Sequence, residues 1–262
     1  IPGLTVDRQC GSGINAINLA AQAIWAGDGD IFVAGGVESM SRAPYLMDRP
    51  EKAYSPTPPH FRKSQLAPKE IGDPPMGITA ENLVEKYNIS REEQDAFSLQ
   101  SQQKMARAME EGRFEEQIVP IYIPTRKGEP IEFKVDEHPR PETTKEGLEK
   151  LPAVFLNGGT VTAGSSSGLN DAASVVVIKK KKKANQLGIT PLAVVRAQAV
   201  AGVDPNIMGI GPVPATKKVL EKAGLALEDM DLIEINEAFA SQVLACDMEL
   251  NMDAQKVNVN GG

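Results

Sequence analysis

Short, apolar strand segments that alternate with alanine-rich helical segments constrain the fold of this chain more than any other feature. The clearest apolar segments are residues 30–34, 174–178, 192–195 and 231–235. The helical segments between or after them are 14–26, 213–223 and 238–250. A strand that is apolar on both faces needs cover on both faces, which helices packed on each side of a sheet provide. The sequence therefore predicts a layered α/β fold.

The first forty residues predict the local order of this architecture. Residues 4–6 have the β-branched composition of a strand, 14–26 form a helix closed by Gly27, and 30–34 form a strand that ends at Gly35 and Gly36. A strand, a helix and a second strand over this length predict a parallel pair joined by a crossover.

The middle of the chain has a different character. Between residues 40 and 159, prolines cluster and polar helices replace the apolar segments, which indicates an insertion or a lid-like region. One helix is well marked there, because Ser90 and Glu93 form a capping box and the helical pattern runs on to Gly112.

Composition excludes several classes of protein. The chain has 262 residues, of which 41% are hydrophobic and 24% charged, enough for one large or two ordinary domains. A net charge of −7 argues against nucleic acid as a general partner. No apolar run approaches the roughly 18 residues of a membrane span, and the opening residues lack the pattern of a signal peptide. Two cysteines more than two hundred residues apart are no disulfide framework, so we expect a cytoplasmic protein.

Cys10 lies in the segment Arg8-Gln9-Cys10-Gly11-Ser12-Gly13, directly before the first predicted helix. A thiol at the first turn of a helix lies near unpaired N–H groups and the positive end of the helix dipole, which both favour the thiolate. Glycines on this turn allow a ligand to approach the backbone closely. Local sequence leaves two interpretations open, a nucleophile or a small buried hydrophobic residue.

Two further segments carry candidate chemistry. Asn236 follows a predicted strand and precedes a helix, so its amide lies where open α/β sheets place their ligands. Taken alone, however, the local sequence favours an N-cap role for this residue. Residues 160–171 form a loop of small residues suited to lying along an extended ligand. A flexible linker is the alternative, but Val161 and Leu169 make the loop apolar for that role.

Taken together, these segments resemble the thiolase family, and the resemblance runs along essentially the whole chain. The matching segments are residues 10–13, 33–40, 79–82, 90–95, 112–114, 160–171, 211–215, 236–239 and 258–262. The resemblance implies a thiolase-like layered α/β fold with two pseudo-duplicated core halves and an inserted loop domain. Its implied domains are residues 1–39 with 169–184 for the N-terminal half, 40–168 for the inserted loop domain that binds coenzyme A, and 185–262 for the C-terminal half.

The resemblance also implies acyl transfer between coenzyme A thioesters through an S-acyl intermediate on Cys10. In this scheme Asn236 holds a water in the oxyanion site for the thioester oxygen, and the Cys10 N–H serves the other oxyanion. Coenzyme A and acyl-CoA are substrates, with no tightly bound cofactor and no metal, and a dimer or tetramer is expected. A non-catalytic acyl-CoA-binding homologue is the alternative, and a condensing enzyme of fatty-acid or polyketide synthesis would share the nucleophile.

The same resemblance implies which residues line the coenzyme A site. These are Met76, Phe155, Ala163, Ser167, Met208, Ala238 and Phe239. Gap filling in a core is the alternative for the two methionines. Two departures from the family pattern bear on substrate preference: Pro75 stands where many biosynthetic members have His, and residues 164–168 read Gly-Ser-Ser-Ser-Gly.

The family's remaining catalytic groups, a His in a Gly-His-Pro turn and a second Cys in a Cys-x-Gly turn, follow the Asn-Gly-Gly at which this sequence stops. We therefore expect the sequence to be an internal piece of a longer polypeptide. His60 and His138 lie in proline-rich, charged surroundings and are expected to be surface residues. Cys246 lies on the apolar stripe of its helix and is expected in the core.

Five consecutive lysines, residues 179–183, join the apolar strand 174–178 to a short helix. We expect an exposed helix start there, although the beginning of a helix favours acidic residues.

Overall fold

A computed structural model describes residues 1–50 and 52–262. Its helices are α1 Ser12–Ala26, α2 Met76–Tyr87, α3 Arg91–Glu110, α4 Lys145–Glu149, α5 Lys181–Gln186, α6 Pro212–Ala223 and α7 Ala240–Leu250. Its strands are β1 Ile31–Ser39, β2 Leu46–Met47, β3 Phe61–Arg62, β4 Ile121–Ile123, β5 Ile131–Phe133 and β6 Asp171–Lys179. No helix in this part of the chain is both long and apolar enough to cross a membrane.

The chain divides into two compact units. Unit 1 comprises Ile1–Ser64 and Leu169–Gln198, and unit 2 comprises Gln65–Gly168 and Ala199–Gly262. Each unit is described by itself.

Unit 1 is built on the antiparallel pair of β1 and β6, in which Val33 lies opposite Val177. Helix α1 packs against β1, and its end is set by Gly27, which adopts the left-handed conformation at φ 89°. Ala34 is buried, whereas Val33 and Val177 on the alternate positions are exposed.

The predicted parallel pair at the start of the chain is wrong. Residues 4–6 form no strand, and β1 pairs with β6 in the antiparallel direction. Residues 192–195 also form no strand. An apolar, β-branched segment becomes a strand only where a neighbouring strand accepts its backbone hydrogen bonds, and local composition does not supply that neighbour.

The lysine run takes the predicted position at a helix start. Lys179 is the last residue of β6, Lys180 is the N-cap residue and α5 begins at Lys181. The Lys180 N–H donates to the carbonyl oxygen of Asp30 at 2.9 Å, and its ammonium lies 3.8 Å from the Asp30 carboxylate.

Unit 2 is mainly helical and contains the larger apolar core. The buried side chains of that core are Leu83, Ile89, Ile210, Val213, Ala245 and Cys246. They come from α2, α6, α7, a 3-10 helix at Pro205–Ile210 and, for Ile89, the second residue after α2. The prediction for α6 is confirmed, with Gly224 in the left-handed conformation at its end. The strand predicted at 231–235 is reduced to one parallel bridge between Ile233 and Val257.

Helix α3 begins with the predicted capping box. The Ser90 hydroxyl accepts from the Glu93 N–H at 3.1 Å, and the Glu93 carboxylate accepts from the Ser90 N–H at 2.7 Å. The Ser90 hydroxyl also donates to the Glu93 carboxylate at 2.9 Å. The hydrogen bond from the Ser90 N–H, and then the one from the Ser90 hydroxyl, hold the pKa of Glu93 below its ordinary value. Because the pKa is lowered on folding, the stabilisation is present at neutral pH and is lost as the pH falls through the lowered pKa.

We expect Ser90→Ala to lower the free energy of unfolding by about 1 kcal/mol at neutral pH, because one N–H at the helix start loses its acceptor. Ser90→Thr keeps the acceptor and is the matched control. Urea unfolding of both variants measures the difference. Equal losses in the two variants would show that the hydroxyl does not stabilise the helix.

Candidate functional site

Cys10 lies exposed on a tight turn in unit 1. Gln9, just before it, has a positive φ of 50°, and the Gly11 N–H donates to the Arg8 carbonyl oxygen at 3.0 Å. Ser12 Oγ locks the turn, because it donates to the Gln9 carbonyl oxygen at 2.7 Å and accepts from the Arg8 N–H at 2.8 Å. The interpretation of Cys10 as a buried hydrophobic residue is wrong.

Two glycines set the position of the helix that follows Cys10. Gly13 in the first turn of α1 packs backbone to backbone against Gly36 of β1, and a Cβ on Gly36 would lie 3.1 Å from the Gly13 Cα. The start of α1 is thereby held close to the strand, with the thiol two residues before the helix. The positive end of the helix dipole acts over this distance.

The remaining cysteine and both histidines lie away from any such turn. Cys246 is fully buried, its thiol donates to the Gly209 carbonyl oxygen at 3.3 Å, and burial raises its pKa to about 11. The prediction that Cys246 belongs to the core is confirmed. His60 and His138 are exposed, as predicted. No group of three or more His, Cys, Asp or Glu side chains within residues 1–50 and 52–262 is placed to bind a metal ion.

Asn236 is exposed in unit 2, and its N-cap interpretation is wrong because α7 begins four residues later, with Phe239 as its N-cap residue. A second asparagine, Asn258, holds the backbone of the residue before it and the side chain of the residue after it. Asn258 Oδ1 accepts from the Ile235 N–H at 2.9 Å, and its Nδ2 donates to the Ile235 carbonyl oxygen at 2.9 Å and to Glu237 Oε1 at 2.6 Å. Asn258 is 1% exposed. The exposed Asn236 amide is therefore carried by a fixed backbone.

Two carboxylates give this segment a negative local field. Glu237 accepts from the Ser101 hydroxyl of α3 at 2.6 Å as well as from Asn258. Partial burial, and then the charge of Glu237, raise the pKa of Glu234, while the ammonium of Lys104 acts in the opposite direction.

Four of the residues expected to line a coenzyme A site come together in unit 2. Met76 and Ala238 pack against an apolar cluster that contains Phe239. The Phe155 ring meets the Phe239 ring edge to face, with centroids 5.9 Å apart. It also lies so close to Gly77 that a Cβ there would overlap it. The result is an apolar wall that includes a half-exposed aromatic ring.

Ser167 is connected to this wall by a backbone hydrogen bond, in which its N–H donates to the Ala238 carbonyl oxygen at 3.0 Å. Ala163 is exposed in a short 3-10 helix, Ala163–Ser165, of the same loop. Met208 is exposed in the 3-10 helix Pro205–Ile210, whose apolar residues Ile207 and Ile210 belong to the larger core instead. The structure thus groups the predicted residues in unit 2 around one loop, with Met208 on a different segment.

Two buried polar residues that hold this loop escaped the sequence analysis. Glu81 of α2 accepts hydrogen bonds from the Thr160 and Val161 N–H groups, and Gln94 of α3 donates to the Thr160 hydroxyl at 2.9 Å. Glu81 is 5% exposed and Gln94 is fully buried. The sequence does place Glu81 in the segment 79–82, next to a small apolar residue. That position does not identify the partner of the carboxylate.

These features suit a particular kind of chemistry. An exposed thiol before a helix start can attack a carbonyl carbon and form a thioester. An apolar wall with backbone N–H and carbonyl groups along it suits an extended, largely uncharged ligand arm.

Comparison with known proteins agrees with this chemistry. Residues 1–182 match the model of the thiolase N-terminal domain, and residues 189–262 match that of the thiolase C-terminal domain. An acetyl-CoA acetyltransferase of Pseudomonas aeruginosa is 51% identical over 100% of this chain and 67% of its own length. A 3-oxoadipyl-CoA/3-oxo-5,6-dehydrosuberyl-CoA thiolase of Escherichia coli is 48% identical over 100% of this chain and 68% of its own length.

Solved structures show the same likeness. The human mitochondrial 3-ketoacyl-CoA thiolase superposes with a TM-score of 0.91 at 44% identity, over 100% of this chain and 66% of that one. The Bacillus anthracis acetyl-CoA acetyltransferase has a TM-score of 0.90 at 47% identity, over 98% of this chain and 66% of that one. The chain spans about two thirds of the length of these relatives. On this evidence the chain belongs to the thiolase family and has its layered α/β fold.

Proposed function

We propose that this protein acts as a thiolase-type acyltransferase, which interconverts acetyl-CoA plus acyl-CoA and 3-ketoacyl-CoA plus CoA. The observation that carries the proposal is the exposed Cys10 thiol on a glycine-flanked turn before α1, in a chain of this family. Relatives named acetyl-CoA acetyltransferase and relatives named thiolase both match. The reaction class that both names share is carbon–carbon bond formation or cleavage between thioesters.

In the proposed first half-reaction, the Cys10 thiolate attacks the carbonyl carbon of acetyl-CoA. A new carbon–sulfur bond forms, the bond to the CoA sulfur breaks, and the CoA thiolate leaves and takes up a proton. The Cys10 N–H stabilises the oxyanion of the tetrahedral intermediate. In the synthetic direction a second acetyl-CoA loses a methyl proton to a base, which the family resemblance implies is the His or the second Cys of the family's remaining catalytic turns. The resulting carbanion attacks the acetyl carbon, a carbon–carbon bond forms, the carbon–sulfur bond to Cys10 breaks, and the Cys10 thiolate is released.

Asn236 serves the other oxyanion in this proposal, through a water held by its amide. The hydrogen bonds from Asn258 to both backbone groups of Ile235 support this role, since preorganised donors stabilise developing charge without moving. The site for the pantetheine arm of CoA consists of Met76, Phe155, Ala163, Ser167, Met208, Ala238 and Phe239. A solved thiolase structure from human mitochondria, 43% identical to this chain, is a complex with CoA.

We also infer a homo-oligomer, a dimer or tetramer, in the cytoplasm. The family resemblance supports the oligomer. The two cysteines, both unpaired in the structure, suit a reducing compartment.

Brief incubation with acetyl-CoA is expected to add one acetyl group to the protein, and Cys10→Ala is expected to abolish the addition. Intact-mass measurement before and after incubation tests this, with Cys246→Ala as the matched control that retains the adduct. CoA binding without any adduct would contradict the proposed acyltransferase activity and favour the alternative, a non-catalytic acyl-CoA-binding protein.

Alkylation should distinguish the two thiols. With iodoacetamide near pH 8 we expect one fast adduct at Cys10, because Cys246 is fully buried and its pKa of about 11 keeps it protonated. Peptide mapping of the alkylated protein, native and unfolded, is the measurement. Modification of Cys246 in the native protein at a comparable rate would contradict its assigned place in the core.

Gly77→Ala should weaken CoA binding by about tenfold, because the added methyl group displaces the Phe155 ring from the wall; this corresponds to about 1.4 kcal/mol. In an open helix the same change would stabilise the protein. Gly202→Ala, where a Cβ meets no atom within 4 Å, is the control. Calorimetric titration with CoA measures both variants, and equal affinity in the two would remove Phe155 from the proposed site.

A further inference from the structure

We propose that Glu81 is a positioning residue for the pantetheine arm of CoA: its buried carboxylate fixes the loop that carries Phe155, Ala163 and Ser167. The inference rests on the proposed function, since it assumes that this loop contacts CoA. Glu81 contacts no reacting atom in the proposed scheme and acts only through the loop.

The contacts of Glu81 are directed at the loop backbone. Oε1 accepts from the Thr160 N–H at 3.0 Å and from the Val161 N–H at 2.9 Å, and Oε2 accepts from the Thr160 N–H at 3.2 Å. None of the ion pairs in the described part of the chain includes Glu81. The carboxylate is thus buried against backbone donors, an arrangement in which two successive N–H groups converge on one anion.

A carboxylate suits this position better than an amide. Both of its oxygens only accept hydrogen bonds, so either can face the converging N–H groups. The amide of a glutamine would present one NH₂ group, which repels the same donors. Burial of a carboxylate is costly unless its hydrogen bonds are made, so this geometry is tightly specified.

Hydrogen bonds on both sides of Thr160 and Val161 connect this fixed backbone to the rest of the loop. On one side, the Val154 N–H donates to the Val161 carbonyl oxygen at 3.1 Å, which places Phe155, the next residue. On the other side, the buried Thr162 side chain accepts from the Gly164 and Ser165 N–H groups at 3.1 and 3.3 Å.

Beyond that turn the loop meets the α7 entry, where Ser167 bonds the Ala238 carbonyl oxygen. Gln94 supports the same fixed point through the Thr160 hydroxyl. Gly159, just before it, lies so close to Glu81 that a Cβ there would overlap the carboxylate. Three of the seven residues expected to line the CoA site therefore depend on one carboxylate.

The test compares Glu81→Gln with Glu85→Gln, an exposed glutamate one turn further along α2. Calorimetric titration of the full chain uses CoA and, separately, adenosine 3′,5′-bisphosphate, which lacks the pantetheine arm. We expect Glu81→Gln to weaken CoA binding by about tenfold, about 1.4 kcal/mol, with the affinity for the bisphosphate unchanged. Glu85→Gln should leave both affinities as in the wild type. Glu81→Asp, which keeps the charge, should recover part of the loss.

Equal CoA affinity in Glu81→Gln and Glu85→Gln would overturn the positioning role and leave the proposed function intact. An equal loss of affinity for CoA and for the bisphosphate would also overturn it. Such a result would indicate general destabilisation of the protein, which affects both ligands, and not a loss of contacts with the arm that only CoA has. Wild-type protein that binds no CoA would instead contradict the proposed function itself. Should Glu81→Gln fail to fold, Glu81→Asp replaces it, because the shorter side chain keeps the charge but cannot reach the Thr160 and Val161 N–H groups at the same distances. CoA affinity of Glu81→Asp equal to that of the wild type would then contradict the proposal.

Discussion

The candidate site of unit 2 depends on one interaction, the acceptance of two successive backbone N–H groups by the buried carboxylate of Glu81. The loop from Phe155 to Ser167 has almost no regular structure, so no ladder of strand hydrogen bonds holds its shape. Side chains from neighbouring helices perform that task, and Glu81 is the one that binds two successive N–H groups of the loop backbone. The position of the Phe155 ring on Gly77 and Phe239 follows from it.

The segment that carries Asn236 is held by the same physical means. Asn258 bonds both the N–H and the carbonyl group of Ile235, much as a neighbouring strand would, and it adopts a positive φ of 41° to do so. Asparagine tolerates this backbone conformation better than other residues with a Cβ. In unit 2, buried polar side chains thus hold irregular backbone at the positions where the proposed chemistry needs fixed groups. A buried polar group without its partner is costly, so each such contact specifies one geometry.

Local signals in the sequence predicted some elements well and others poorly, for a common physical reason. The capping box of Ser90 and Glu93 and the terminal Gly224 act within a few residues, so α3 and α6 were predictable. A strand depends on a distant neighbour, and residues 4–6 and 192–195 failed as strands for that reason. Glu81 escaped notice because its partner Thr160 lies 79 residues further along the chain. The position of Asn236 between a predicted strand and a helix indicated it only as a candidate, and the resemblance to a family implied its role and the CoA-site residues.

Hydrogen–deuterium exchange of the loop tests the central physical claim most directly. Peptides that cover residues 158–168 report on the Thr160 and Val161 amides. Our account predicts that these amides exchange slowly in the native protein, and that Glu81→Gln accelerates their exchange while peptides of α6 remain unchanged. Exchange in the wild type as fast as at the exposed residues 155–158, or no acceleration in the variant, would contradict the account.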